Sequence, residues 1–209
     1  MSSHARSERR ALADLLLEVG PDAPTLCEGW STGDLAAHLV IRERRPDAAA
    51  GILVKPLAGY TERVQKQVRQ GRSWPQLVET IRSGPPLPLR LGPVDEVANT
   101  VEYFVHLEDV RRARPGWEPR ILDPDLEKAL WSRLRAMARI LVRRSPVGVT
   151  LSAPGFGTVV ARAGDPQVTL TGPPGELLLF VFGRQEAARV EASGEPDPVA
   201  RLRDARLGL

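Results

Sequence analysis

Two histidines and one glutamate of this sequence have the types and spacing to bind one divalent cation. Glu102 and His106 are four residues apart, so on a helix their side chains share one face and can converge on one ion. His38 shares an apolar helical stripe with Leu35 and Leu39, which directs its imidazole toward the protein interior. Two imidazoles and one carboxylate are the ligand set of catalytic zinc sites that keep a fourth position open for water or substrate.

The ligand types explain why a cation is expected, but they do not identify it. Neutral imidazole and carboxylate offer lone pairs, and a cation offsets the desolvation cost of a buried carboxylate. Zinc is the first choice, while nickel, iron and manganese also accept two nitrogens with one oxygen. The spacing alone leaves an alternative, in which His38 is a core histidine bonded to a carbonyl and Glu102 and His106 form a solvent-facing pair.

Other residues near these positions have more than one interpretation. Cys27 lies ahead of the helix that carries the first histidine, and it is either close to the site or a small buried apolar residue. Asp109 follows the second histidine by three residues, so it either orients a metal ligand or pairs with Arg112 or Arg42. Arg42 and Arg111 are also candidate partners for an anionic group of a substrate.

Helical periodicity predicts the elements that position these residues. Apolar spacing and its breaks predict helices over residues 5–19, 31–45, 57–70, 74–81, 95–112 and 123–141. Ser31 and Asp34 resemble a capping box at the start of the second helix. Residues 83–88 are rich in glycine and proline and are predicted to form an extended loop.

The last third of the chain has a different character. Short β-type runs bounded by glycine and proline predict strands over 148–151, 158–162, 167–171 and 189–192, with short helices over 177–182 and 198–202. Helices followed by clustered strands indicate two domains rather than one interleaved sheet. We therefore predict a helical metal-binding bundle over residues 1–144 and a small α+β domain over residues 145–209.

Composition narrows the classes of function. Hydrophobic residues make up 42% and charged residues 26% of the 209, which is an ordinary soluble globular mix. The net charge of +3 comes from scattered arginines, so neither a nucleic acid nor a membrane is expected as a partner. One cysteine excludes an internal disulfide, and there is no run of 18 apolar residues and no apolar signal segment, so we expect a cytoplasmic protein.

Two motifs resemble the metal-binding domain of the mycothiol-dependent maleylpyruvate isomerase family, in the DinB-like superfamily. The stretch Cys27–Leu39 contains a Trp-x-x-x-Asp-Leu-x-x-His pattern that ends at His38. The stretch Asn99–Arg112 contains a Glu-x-x-x-His pair at Glu102 and His106. Residues 168–184 are similar to the small sterol-carrier-like domain often fused to such bundles, so the resemblance covers almost the whole chain.

The resemblance implies a fold, a ligand set and a cosubstrate. The fold is a four-helix bundle, with a divalent metal held by His38, Glu102 and His106, followed by a small α+β domain. The cosubstrate is a low-molecular-weight thiol such as mycothiol, whose pKa the metal lowers so that a thiolate can attack an electrophile. Because no residue here is assigned to a maleylpyruvate carboxylate, the isomerase activity itself is not transferred.

Three classes of function follow from these observations. The first is a metal-dependent thiol transferase or isomerase that binds a small-molecule thiol or an electrophilic substrate. The second is a non-enzymatic metal-binding or small-molecule-binding protein, which the scarcity of other catalytic groups favours. The third, a nucleic-acid-binding regulator, depends on the basic charge balance alone. The chain is expected to be a monomer or a homodimer.

Overall fold

The computed structural model describes residues 4–49, 51, 55–86 and 93–208, with the backbone alone at 55 and 93–98. The chain divides into two compact units, Met1–Glu118 and Pro119–Leu209. The first unit is helical, and the second combines helices with a four-stranded sheet. The predicted fold class, a helical N-terminal part followed by a small α+β part, is therefore confirmed.

The first unit, which we call the helical unit, consists of helices joined by short connections. In chain order its described elements are α1 (His4–Val19), α2 (Thr32–Arg44), α3 (Pro46–Ala49), a 3-10 turn (Lys55–Leu57), α4 (Ala58–Gln70), α5 (Trp74–Ser83) and α6 (Pro93–Arg112). The long helices differ from their predicted ranges by two residues at most. Of the predicted loop 83–88, residues 84–86 are non-helical, and 87–88 lie outside the described residues.

One apolar core holds the helical unit together. Helix α1 packs against α5 and α6, while α2 packs against α4 and α5. Leu12 and Leu16 of α1 and Leu35 and Leu39 of α2 are at most 1% exposed, as their helical spacing predicts. Removing one such leucine side chain from water stabilises the fold by about 1.5–3 kcal/mol. This shared core fixes the helices that carry the candidate metal ligands.

The start of α2 is anchored by its cap and by the loop before it. The backbone N–H of Ser31 donates to Oδ2 of Asp34 at 3.1 Å, and the N–H of Asp34 donates to Oγ of Ser31 at 3.3 Å, which confirms the predicted capping box. The N–H of Gly33 donates to the carbonyl of Pro21 at 2.8 Å. A Cβ at Gly33 would lie 2.9 Å from that carbonyl oxygen, so this close approach requires glycine.

The second unit combines a mixed sheet with flanking helices. Its elements in chain order are α7 (Pro124–Leu141), β1 (Gly148–Ala153), β2 (Gly157–Arg162), β3 (Gln167–Thr171), α8 (Pro174–Val181), β4 (Glu191–Ser193) and α9 (Pro196–Arg203). The strand order is β2-β1-β3-β4, in which β1 is parallel to β3 and the other two pairs are antiparallel. None of the described helices of either unit has the length and hydropathy needed to cross a lipid bilayer.

The boundary between the units differs from the predicted domain boundary by one helix. The sequence predicts a boundary after residue 144, whereas the compact units divide after residue 118. The helix between these positions is α7, whose buried Leu126, Leu130 and Leu134 belong to a helix that packs against α8. Apolar spacing shows that α7 has a buried face, but it does not show which element covers that face.

Candidate metal centre

The structure brings His38, Glu102 and His106 together inside the helical unit. Nε2 of His38 lies 3.4 Å from Oε1 of Glu102, and Nε2 of His106 lies 3.2 Å from the same oxygen. Each residue offers one ligand atom, and the three atoms lie within 4.8 Å of one another. The two imidazole rings meet edge to face, with centroids 5.6 Å apart. We call these three residues the histidine cluster.

Helix geometry explains why these side chains converge. His38 belongs to the inward face of α2, while Glu102 and His106 stand one turn apart on α6. The side chains of both histidines are only 11% exposed, whereas that of Glu102 is 21% exposed. The cluster is therefore mostly buried, and its carboxylate is the part that is most open to solvent.

Burial and hydrogen bonding shift the pKa values of the two histidines in opposite directions. Burial lowers the pKa of His38, so its imidazole is neutral at neutral pH. Burial also opposes charge on His106, but hydrogen bonds to Asp109 and Glu102 raise its pKa well above the ordinary value. Burial likewise opposes charge on Glu102, yet hydrogen bonds from both histidines hold its pKa well below the ordinary value. The acid is therefore charged at neutral pH, as a metal ligand must be.

An arginine lies at the edge of the histidine cluster. Nε of Arg42 is 3.3 Å from Oε1 of Glu102, and Nη1 of Arg42 donates to Oδ1 of Asn99. No spacing pattern predicts a role for Asn99, which is the one asparagine of the chain and lies three residues before Glu102. The other predicted anion partner, Arg111, donates instead to both carboxylate oxygens of Glu108 at 2.9 Å. The side chain of Arg42 is 25% exposed, so this guanidinium can also meet an anion from solvent.

The loop before α2 brings Cys27 and Asp109 to the second histidine. The backbone N–H of Leu26 donates to the carbonyl of Asp109 at 3.0 Å, which fastens the loop to α6. Sγ of Cys27 donates to Oδ2 of Asp109 at 3.2 Å and lies 4.0 Å from Nδ1 of His106. That nitrogen is 2.9 Å from the same Asp109 oxygen. Of the interpretations left open by the sequence, the structure shows the cysteine close to the site and the aspartate against a histidine of the cluster.

Trp30, the first residue of the Trp-x-x-x-Asp-Leu-x-x-His pattern, is a neighbour of the site. Its ring lies against the imidazole of His38, with centroids 5.1 Å apart and planes at 56°. The half-buried indole therefore covers one side of the first histidine. The signal in the sequence is the position of Trp30 directly before the cap of α2, two turns ahead of His38.

The donor set of the histidine cluster fits a divalent cation. Ligands that each lie about 2.1 Å from a tetrahedral ion are about 3.4 Å apart. The distances from Glu102 to the two histidine nitrogens, 3.4 and 3.2 Å, match that separation. Two nitrogens and one oxygen leave at least one coordination position for another ligand.

Comparison with known proteins supports the fold. No described protein family matches the sequence, and no curated protein matches it. The solved structure of a mycothiol-dependent maleylpyruvate isomerase is similar, with a TM-score of 0.63 and 14% identity over 92% of this chain and 91% of that one. A His-to-Ala variant of a mycothiol-dependent maleylpyruvate isomerase gives a TM-score of 0.58 and 13% identity over the same shares. At such identity the likeness shows the fold alone, and this chain has the fold of that isomerase.

Proposed function

We propose that this chain is a divalent-metal-binding protein that works with a low-molecular-weight thiol, as a metal-dependent transferase or isomerase. The observation that carries the proposal is the convergence of three ligand atoms from α2 and α6, within 4.8 Å of one another, in a mostly buried position. His38, Glu102 and His106 are the proposed ligands. A mycothiol-type thiol is the proposed cosubstrate, since the similar structures are named for their dependence on mycothiol.

Two of the three ligands already have the protonation state that a metal needs, and His106, whose pKa is raised by its hydrogen bonds, must release the proton of Nε2 when a cation binds. His38 is neutral, so it can offer a lone pair, and Glu102 is charged, so it supplies the negative charge that a cation needs. Asp109 accepts a hydrogen bond at the far nitrogen of His106 and leaves the near nitrogen facing Glu102. Zinc is the first choice for such a set, while nickel, iron and manganese also accept it.

A free thiol is mostly protonated at neutral pH and is therefore a weak nucleophile. A divalent cation bound to the cluster lowers the pKa of a thiol that reaches it, so that the thiolate forms near neutral pH. Arg42 can pair with an anionic group of the electrophilic substrate, because its guanidinium lies beside Glu102 and is 25% exposed. Trp30 limits the access of water to His38 from one side. We place the protein in the cytoplasm, where a thiol cosubstrate stays reduced.

The first experiment decides whether the metal is there. Elemental analysis of the purified protein should give about one divalent ion per chain, and His106→Ala should reduce the content to background, since it removes one of three ligands. Lys66→Ala is a matched control on α4, where no ligand of the cluster lies. Equal metal content in wild type and His106→Ala would contradict the proposed ligand set.

The second experiment separates a thiol-dependent protein from a simple metal binder. Cobalt replaces zinc with little change in geometry and has an absorption spectrum that responds to its ligands. Adding mycothiol to the cobalt-loaded protein should change that spectrum saturably, whereas an alcohol analogue should not. An unchanged spectrum would favour the alternative, a non-enzymatic metal-binding or small-molecule-binding protein. Turnover of an electrophile that is lost in His38→Ala would exclude this alternative.

A further inference from the structure

Asp109 is a fully buried acid that the ligand set does not include. It lies on α6, three residues after His106, and its side chain has no exposed area. Its Oδ2 is 2.9 Å from Nδ1 of His106 and 3.2 Å from Sγ of Cys27. Its carbonyl accepts a hydrogen bond from the N–H of Leu26 at 3.0 Å, so the loop before α2 holds the same residue. A carboxylate in this position costs free energy unless its hydrogen bonds are strong.

The contact determines which nitrogen of His106 keeps its proton when a cation binds. A carboxylate can only accept hydrogen bonds, so the nitrogen that faces it, Nδ1, must be the donor. Nε2 faces the carboxylate of Glu102 at 3.2 Å and therefore also donates in the metal-free protein, so a cation that binds the cluster must replace the proton of Nε2 and not that of Nδ1. Without the carboxylate the imidazole would exchange between two tautomers, and only one of them presents a lone pair to the cluster.

We infer that Asp109 is the positioning residue of the metal centre. This inference rests on the proposed function, because it concerns the same cation. Asp109 holds His106 in the tautomer and ring orientation that bind a cation through Nε2, and its negative charge makes that nitrogen a stronger donor. Partners of this kind typically change metal affinity about 10- to 100-fold when they are removed.

A competing arrangement makes the opposite demand on Nδ1. Cys27, His106 and Asp109 also offer three ligand atoms within 4.8 Å of one another. If a cation bound there, Nδ1 would have to lose its proton and become a ligand. If Asp109 is a positioning residue, Nδ1 must keep its proton while Nε2 binds the cation. The protonation of one nitrogen therefore separates the two arrangements.

The test combines one measurement on the wild type with one pair of variants. Imidazole nitrogen resonances of the zinc-loaded wild type should show a proton on Nδ1 of His106 and the metal on Nε2. Asp109→Asn keeps the size of the side chain but removes its charge, and it should weaken zinc binding about 10- to 100-fold in a competition titration with a chelator. Glu108→Gln is the matched control, because Glu108 is an equally buried acid on α6 that accepts hydrogen bonds from Arg111 and Arg112.

The outcomes distinguish this inference from the proposed function. Zinc bound through Nδ1, or two zinc ions per chain, would overturn the positioning role and leave a metal-binding protein. Asp109→Asn that binds zinc as tightly as the wild type would overturn it as well, and so would an equal loss in Glu108→Gln. A wild type that binds no zinc, nickel, iron or manganese would overturn the metal centre itself, and the inference with it. The resonances need no variant, so a variant that fails to fold leaves the test intact.

Discussion

Among the buried polar clusters in the described part of the helical unit, two differ in how their charges are arranged. In the first, which we call the arginine cluster, Arg9 of α1 pairs with Glu43 of α2 and lies 4.5 Å from the ring centre of Tyr103 on α6. One cation meets one anion directly there. In the histidine cluster, by contrast, three atoms that can bind a cation lie within 4.8 Å of one another. A single buried ion pair indicates a structural cluster, whereas the convergence of three metal-ligand atoms indicates a binding site.

The comparison predicts that damage to the two clusters has different consequences. A buried ion pair adds little net stability, because desolvation offsets its attraction, but removing one partner leaves a buried charge without compensation. The histidine cluster instead contains metal-ligand atoms, and these atoms make their strongest interaction only when a cation is bound. Stability should therefore depend mainly on the arginine cluster, and metal affinity on the histidine cluster.

The largest expected effect is on stability. Glu43→Ala should lower the free energy of unfolding of the helical unit by about 3–5 kcal/mol, because Arg9 would keep a buried charge. The side chains of Arg9 and Glu43 are only 8% and 4% exposed, so water cannot replace the lost partner. Urea unfolding of the metal-free protein, followed by circular dichroism, measures the change.

A double variant and a metal titration make this prediction specific. Replacing both charges, in Arg9→Met with Glu43→Leu, should recover most of the lost stability, because no buried charge remains. Zinc affinity of the folded Glu43→Ala protein should equal that of the wild type. A loss of zinc affinity in Glu43→Ala as large as in His106→Ala would show that the two clusters are not separate.

The second largest effect on stability is expected at a partly exposed ion pair, which serves as a reference for the buried pair of Arg9 and Glu43. Asp34 binds Arg69 at 2.6 Å and also takes part in the cap of α2. Burial raises the pKa of Asp34, but hydrogen bonds from Ser31 and then Arg69 lower it below the ordinary value. Asp34→Asn should therefore cost about 1 kcal/mol at pH 7, because both side chains are partly open to solvent.

The pH dependence of this difference has a definite sign. Since the pKa of Asp34 is lower in the folded state, its contribution is present above its unfolded pKa of about 4 and is lost as the pH falls through the folded pKa. The stability difference between wild type and Asp34→Asn should shrink toward zero in acid. Asp22→Asn is the matched control, because Asp22 contacts the same arginine at 3.4 Å with an 85% exposed side chain. A difference that persists below the folded pKa would contradict an electrostatic origin.

Local contacts of the site were predictable from the sequence. The i, i+4 spacing indicates that Glu102 and His106 share one face of α6, and the apolar stripe of α2 indicates that His38 points inward. The capping box of Ser31 and Asp34 is also a local pattern, and the structure contains it. Such features depend only on the periodicity of one helix, so the sequence carries them directly.

Contacts between distant segments could not be predicted in this way. Cys27 and Asp109 are 82 residues apart, and they meet because the loop before α2 is fastened to α6. Arg9 and Glu43 are 34 residues apart on two helices, and nothing in the periodicity of either helix pairs them. The sequence likewise does not indicate that α7 belongs to the second unit, because its apolar spacing does not show that it packs against α8. Periodicity gives the direction of a side chain, while packing decides which segment it meets.

The smallest expected effect concerns Cys27, and it separates a hydrogen-bond donor from a metal ligand. The thiol donates to Asp109 at 3.2 Å, and a serine hydroxyl can donate in the same place. Cys27→Ser should therefore keep zinc affinity within about threefold of the wild type, since the hydroxyl retains the hydrogen bond to the carboxylate. The same chelator competition measures it.

Cys27→Ala completes the series because it removes the donor without adding a polar group. It should weaken zinc binding more than Cys27→Ser, but less than Asp109→Asn, since it leaves the carboxylate of Asp109 on His106 in place. If Cys27→Ser and Cys27→Ala lose affinity equally and strongly, sulfur itself binds the cation. The metal centre would then be the group of Cys27, His106 and Asp109. The comparison with the arginine cluster would have to be made for those three residues and not for the histidine cluster.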